Sequence, residues 1–371
     1  MMQYLTRKNE KEIQSLNGIR ALAITLVMIT HAWGFANRIV PEHLRDSAIV
    51  NTLLNFVSGV DLFLVLSGFL ISLGLKEGWQ KKGTMNFSVF YKKRAFRIFP
   101  AYYSFLVISL LLFNATGTPY NNQYVLMDFL YLANYFKGQM PHTWSLALEE
   151  QFYLVFPLFA WALLFRLTFR NRVAVLGFLY LFPFVFRYMN MTAGIGTYDE
   201  YAFNIYLPAH TRFDALIAGI LLMEFYTEKR EFINKTGKHA PLLLAFSAML
   251  LYFAHVSRPG YNHHFFHTVK YNLLNAGYGI LFLIALSENM VSRFFSWKYF
   301  RPVARVSYTM YLWQFIFGGI GLMVSGLKFS SFSWSLFALC FIVIFFSTFL
   351  LSVAAFYGIE YPFLKLKSKE K

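Results

Sequence analysis

Charged residues are scarce in this chain. Only 14% of its 371 residues are Asp, Glu, Lys or Arg, too few to cover a soluble globule of that length. Cysteine occurs once, as Cys340 inside an apolar run. That excludes an intrachain disulfide framework and a cysteine zinc site, and it leaves the redox compartment open. No metal site is read from the sequence. A cleavable signal peptide is also missing, because the first apolar stretch is longer than a typical signal core, contains Arg20 and His31, and lacks a small-residue cleavage site after it. It reads as a retained signal-anchor. No soluble domain, long linker or low-complexity tract flanks the apolar part, and no inverted internal repeat is visible, which counts against the common transporter architectures.

What is present is hydrophobic. Apolar residues make up 57% of the chain, and runs of 18 or more recur throughout, so residues 1–371 are read as a single membrane domain. The expected fold is all-α, a polytopic helical bundle of about ten transmembrane helices. The candidate spans are 18–36, 52–75, 95–113, 142–167, 173–190, 205–225, 239–257, 268–287, 303–325 and 333–357. The apolar piece 124–136 is too short to cross and is expected to be an interfacial or re-entrant helix near the outer face.

Counted loop by loop, 23 of the 34 Lys and Arg residues fall on one side of this arrangement. Only Arg38, Arg45, Lys137, Arg258 and Lys328 fall on the other, and six lie inside spans. The positive-inside bias then puts both termini in the cytoplasm. Much of the net charge of +16 is accounted for by topology, so no nucleic-acid partner is expected.

The first span, GIRALAITLVMITHAWGFA, holds Arg20 and His31 eleven residues apart. This is close to three helical turns, so both project from one face with about 16 Å of rise between them. Either Arg20 snorkels to the headgroups and His31 donates an interhelical hydrogen bond, or the two form a substrate track with an anionic head on Arg20 and chemistry at His31. The second span contains SGVDLFLVLSGFLI. Gly59, Ser67 and Gly68 read as small surfaces for helix packing. Asp61 at depth needs a partner, either His31 or an intramembrane arginine.

In YKKRAFRIFP, the cluster Lys92, Lys93 and Arg94 reads as a topology signal. Arg97 lies one turn further in on the face of Arg94, at a helix N-terminus that favours anions, so the two guanidiniums are candidates to grip phosphates. In PHTWSLALEEQFYLVFP, His142, Glu149 and Tyr153 share one face and Glu150 sits on an adjoining one. Two carboxylates in hydrocarbon are expensive, and an ion pair with Arg212 or Arg187 would account for only one of them.

These segments, in this order, resemble the bacterial membrane-bound acyltransferase family 3, and the resemblance extends over nearly the whole chain. It implies an enzyme that O-acylates surface carbohydrates, peptidoglycan or small molecules from acyl-CoA. It also implies that the Arg and His of the first span, Arg20 and His31, and the Arg-x-x-Arg of the third, Arg94 and Arg97, are its functional marks. Later segments continue the match. HTRFDALIAG carries His210 and Asp214, spaced to pair, and Arg212, directed at Glu149 or Glu150. SYTMYLWQ puts Ser307, Tyr311 and Gln314 on one face. Similar proteins often have His at the position of Gln314, whose amide cannot exchange a proton. GIEYPF closes the last span, with Glu360 expected on a cytoplasmic arginine.

The expected donor substrate is acyl-CoA, in the simplest case acetyl-CoA, with no bound cofactor. Its phosphates would rest on Arg94 and Arg97 and its arm would enter beside Arg20. His31 would act as general base, with Asp61 or Glu150 orienting the imidazolium. Arg212, Glu149, His142 and Tyr311 would bind substrate. The acceptor would be a hydroxyl of a carbohydrate or glycolipid, and the location the bacterial plasma membrane, among membrane lipid. A covalent acyl-Ser or acyl-Tyr intermediate stays open. Some family members append an extracellular hydrolase-like domain; as this chain stops at Lys371, direct transfer or a separate partner is expected. The rival reading is a transporter or flippase for an anionic lipid or sugar that uses the same intramembrane His, Asp, Glu and Arg. A third is a receptor or scaffold without chemistry. Release of CoA separates them.

Overall fold

A computed structural model describes residues 2–10, 12–36, 39–45, 47–256, 264–327 and 331–369. Of the cations counted above, Lys11, Arg38, Arg258, Lys328 and Lys371 lie outside the described residues. Among the described residues, every regular element is helical. The principal helices in chain order are α1 (Ser15–Ala36), α2 (Gly59–Lys82), α3 (Phe87–Thr116), α4 (Asn122–Phe129), α5 (Thr143–Ala162), α6 (Phe169–Thr192), α7 (Asp214–Glu228), α8 (Ala240–Val256), α9 (His264–Leu286), α10 (Phe300–Ser325) and α11 (Trp334–Ala355).

Eight helical stretches among the described residues are long and apolar enough to cross a membrane, which makes the chain a polytopic helical bundle. Two of the ten expected spans are not among the eight. The 26-residue α10 has the length but carries Arg301 and Arg305 near its start. Where a continuous span over 205–225 is expected, a π turn (Ala202–Tyr206) and a 3₁₀ turn (Ala209–Thr211) precede α7, which has only 15 residues. Pro208 between the turns lacks an N–H and pushes its predecessor out of the helical region. At 1.5 Å per residue α7 rises about 22 Å, short of a hydrocarbon core of about 30 Å. The piece expected to be interfacial is the eight-residue α4, far too short to cross.

Small residues set the closest helix contacts. A Cβ on Gly68 would run into the Leu216 carbonyl, and one on Gly219 into the Val65 carbonyl, so α2 and α7 touch backbone to backbone. Gly59 packs against the Ala23 carbonyl of α1 in the same way. At the end of the bundle that carries the basic loops, Lys76 and Arg172 each bind both Glu224 and Glu228 at 2.7–2.9 Å. This clamp ties α2, α6 and α7 together. Arg301 and Arg305 donate to the carbonyls of Thr6 and Arg7, which pins the N-terminal tail to the start of α10.

Helices α3 and α5 run antiparallel, which orders the site along the bundle axis. Near the basic face Tyr91 donates to the Leu154 carbonyl at 2.8 Å, and at the other end the Phe105 and His142 rings lie 5.4 Å apart.

Candidate active site

Helix α5 presents one stripe of polar groups inward. His142, Ser145, Glu149 and Tyr153 follow at spacings of 3, 4 and 4, so they stack along one helix face over about 16 Å. Each rung meets a side chain from another helix.

At the basic end the Arg94 guanidinium carbon lies 3.9 Å from the Tyr153 ring centre. A guanidinium over an aromatic face is held electrostatically without using its N–H groups on that ring. Arg97 is exposed one turn along α3. Arg20, partly buried on α1, is within electrostatic reach of both. Among the described residues none of these three arginines forms an ion pair. Three guanidiniums from two helices are thus grouped at this face with no ion pair among the described residues, and forked donors of this kind are suited to phosphate.

In the middle, Glu149 accepts from the Ser67 hydroxyl at 2.7 Å and from the Tyr153 hydroxyl at 2.8 Å. Its partners are therefore hydroxyls, not Arg212 or Arg187. Glu150 takes no hydrogen bond among the described residues and is within electrostatic reach of Arg94, Tyr102, Tyr131 and Tyr308. The hydroxyls of Tyr131 and Tyr308 are buried without a partner.

Away from the basic face the stripe ends on two imidazoles. The Tyr311 hydroxyl donates to the His142 carbonyl at 3.0 Å and lies 2.7 Å from the Ser145 hydroxyl. His142 Nε2 lies 3.0 Å from the Leu312 carbonyl. A carbonyl only accepts, so Nε2 carries the proton and Nδ1 presents a lone pair. That Nδ1 is buried and has no partner. The Phe315 ring packs against both imidazoles, with centroids 4.5 Å from His31 and 5.3 Å from His142. His31 itself is only partly buried.

Several expected pairings are replaced by others. Asp61 is bound to Arg212 at 2.6 Å, so it does not orient His31. Arg212 in turn meets neither Glu149 nor Glu150; it also donates to the Tyr206 carbonyl and lies against the rings of Trp144, Tyr206 and Tyr271. Glu150 makes no hydrogen bond to His31 either, so the carboxylate partner expected for that imidazole is replaced by the edge of Phe315. Asp214 pairs with Arg187 at 2.9 Å rather than with His210, because it is the first residue of α7 while His210 belongs to the 3₁₀ turn before it. The His210 ring stacks on Tyr135 instead. Glu360 accepts from the Thr309 hydroxyl and forms no ion pair among the described residues. Gln314 is buried with both amide atoms unpartnered.

Ser67, Ser145 and Phe315 are site residues that spacing did not single out. Ser67 looks like one more small packing residue between glycines, and only the tertiary contact with Glu149 distinguishes it.

A buried carboxylate fastens the loop that leads into α5. Asp128, at the end of α4, accepts from the backbone N–H groups of Gln139 and Met140 at 2.8 and 3.0 Å and from the Thr143 hydroxyl at 2.6 Å. Gly138 lies so close to this carboxylate that a Cβ would collide with it. Burial pushes the Asp128 carboxyl up from 3.8 to about 6 although its three donors pull the other way. Three residues on, Tyr131 has φ 54°, a left-handed conformation usually left to glycine at a helix end. Its ring stacks on Tyr102 at 4.3 Å.

Among the described residues no three His, Cys, Asp or Glu side chains are grouped to hold a metal ion.

Residues 13–357 match the family described as "Acyltransferase domain". The chain is 29% identical over 178 residues to the peptidoglycan O-acetyltransferase OatA of Listeria monocytogenes, covering 43% of this chain and 26% of that protein. It is 24% identical over 328 residues to the O-acetyltransferase OatA of Staphylococcus aureus, covering 82% and 50%. The Bacillus subtilis protein YrhL is 25% identical over 340 residues, covering 84% and 49%. The chain thus spans half or less of the length of these relatives. No solved structure matches it.

Proposed function

The chain belongs to the acyltransferase domain family, and from that premise we propose that it is a membrane O-acetyltransferase of a cell-wall carbohydrate, with peptidoglycan as the acceptor its relatives' names suggest. The donor in this reading is acetyl-CoA, reached from the basic face, which is cytoplasmic by the positive-inside bias. The membrane is the bacterial plasma membrane. The single observation that carries the proposal is the α5 stripe, which runs from the Arg94–Tyr153 stack to His142 and links an anion site at one face to two imidazoles towards the other.

In this reading the reaction runs along that stripe. The donor's phosphates lie on Arg94, Arg97 and Arg20, and its arm extends past Tyr153 and Glu149, which places the thioester near His31. The acceptor hydroxyl arrives from the opposite side. As its oxygen attacks the thioester carbonyl, His31 takes the hydroxyl proton; a C–O bond forms. The carbon–sulfur bond then breaks, and the imidazolium returns the proton to the leaving thiolate. The products are the ester and free CoA. His142 cannot give up its Nε2 proton without losing the Leu312 bond, so it serves as a fixed acceptor through Nδ1, positioning the hydroxyl.

Purified protein in detergent, given radiolabelled acetyl-CoA and soluble peptidoglycan fragments, should release CoA and acetylate the glycan. Proton-coupled movement of an anionic lipid or sugar with no CoA release would overturn this reading in favour of a transporter.

A further inference from the structure

Beyond the stripe, an open cleft of about 310 Å³ lies where the chain turns between α3 and α5, on the face opposite the basic loops. It is lined by Pro119, Tyr120, Asn121, Tyr124, Lys137, Gly138 and Gln139. The walls are built rather than accidental. One wall is the start of α4, capped by Asn121, whose side-chain oxygen accepts from the N–H groups of Gln123 and Tyr124. The other is the loop that Asp128 fastens through the Gln139 and Met140 N–H groups. Gln139 closes the two together by accepting the Asn121 N–H at 3.0 Å.

These bonds decide the chemistry of the cleft. The oxygens of Asn121 and Gln139 are both used on backbone N–H groups, so the free ends of their amides are NH₂ donors. Lys137 adds three more donors. Its ammonium sits 5.6 Å from the Tyr124 ring centre and forms no ion pair among the described residues. Lys137 is also one of only five Lys or Arg residues assigned to this side of the membrane. The Tyr120 ring packs on Phe113, and its hydroxyl is 3.3 Å from Asn114. The cleft therefore offers two tyrosines, two amide NH₂ groups and a cation, with no carboxylate. Such a surface suits a ligand with flat apolar C–H faces, many acceptor oxygens and a negative charge.

We propose that this cleft is the acceptor-binding subsite and that its ligand is a carboxylate-bearing glycan, one sugar ring lying against Tyr120 and Tyr124 and the acid on Lys137, Asn121 and Gln139. The proposal rests on the transferase reading above. Gln139 is only three residues from His142, at most about 11 Å between Cα atoms, so a glycan anchored here can present a neighbouring hydroxyl to the imidazoles.

The test is calorimetric binding to the full chain in nanodiscs. The probes are a peptidoglycan disaccharide-peptide, which carries carboxylates, and a neutral chitin oligomer. The parent protein should bind the acidic fragment at least about tenfold more tightly than the neutral one. Lys137→Gln, an exposed position with no bearing on folding, should remove that preference. Tyr120→Ala with Tyr124→Ala should weaken both ligands by about tenfold or more, while the affinity for CoA is unchanged. If the parent binds neither fragment, or the variants bind like the parent, the cleft is not the acceptor subsite. CoA release measured on the same samples keeps the two ideas apart. Loss of binding in the variants of a protein that never turns over would uphold the subsite and sink the transferase reading. Turnover with parent-like KM for the glycan in the variants would do the reverse.

Discussion

The Arg212 guanidinium donates to Asp61 at 2.6 Å, and neither side chain is open to solvent. Each side chain is the other's buried partner, and the rings of Trp144, Tyr206 and Tyr271 lie over the guanidinium. The pair joins α2 to the turn before the short α7, next to the backbone contact at Gly68 and Gly219. Its role is to fix that junction, which in turn fixes Ser67 opposite Glu149.

Removing one partner should therefore be worse than removing both. Asp61→Asn leaves a buried guanidinium without its counter-charge and should cost about 3 to 5 kcal/mol. The double variant Asp61→Asn, Arg212→Met should recover part of that loss. Thermal unfolding in detergent checks the order; a single variant as stable as the parent would refute a structural ion pair.

His31→Gln keeps a hydrogen-bonding side chain beside Phe315 but cannot accept a proton at neutral pH. Transfer should fall by about 10² to 10⁴, with CoA affinity unchanged, since Arg20 lies about 16 Å away along the rise of the same helix. Parent-like transfer would leave His31 a structural histidine.

Arg94 and Arg97 should act through the donor. Alanine at either should raise the donor KM more than it lowers kcat. Arg97→Lys, at an exposed site, should be partly active. Arg94→Lys should behave like alanine, because an ammonium lacks the planar, forked donor set of the guanidinium that lies 3.9 Å from the Tyr153 ring centre. Steady-state kinetics at varied acetyl-CoA decides this, and unchanged donor kinetics in a folded double variant would leave the cluster as a topology signal.

Asp128 should make stability pH-dependent. Its carboxyl holds a proton up to about pH 6 when folded and releases it near 3.8 when unfolded. Between those values the folded state binds more protons, so stability contributed by this group is present at low pH and lost as pH rises through 6. The full loss is about 3 kcal/mol. In Asp128→Asn this slope should vanish, while the amide oxygen can still accept the Gln139 and Met140 N–H groups, which both meet one carboxylate oxygen. Melting temperatures from pH 4 to 7 for both proteins test the difference in slope.

Orientation is open to a direct measurement. A reporter inserted near Lys81 should lie in the cytoplasm, and one near Gly117, beside the proposed acceptor cleft, outside. The reverse result would put the arginine cluster out of reach of cytoplasmic CoA.

The sequence carried the class of the protein and the positions of its unusual side chains. Long apolar runs require helices, because a backbone in hydrocarbon must satisfy its own hydrogen bonds, and period 3.6 alone aligned His142, Glu149 and Tyr153 on one face of α5. The same spacing aligned Arg20 with His31, and the order of motifs led to the family. The break before α7 was less visible, since the residues around Pro208 remain apolar while their backbone leaves the helix.

Partners were decided only by the tertiary structure. Spacing tells which side chains share a helix face, but an ion pair between helices depends on the helix crossings, which small residues such as Gly68 and Gly219 set through contacts far apart in sequence. Hence Asp61 could be known to need a cation without Arg212 being identifiable, and Ser67 could pass for packing until Glu149 was found opposite it. The same holds at the two imidazoles: His31 and His142 are 111 positions apart, and what unites them is a phenylalanine on a third helix. Local periodicity is a property of one chain segment. The site is a property of where several of them meet.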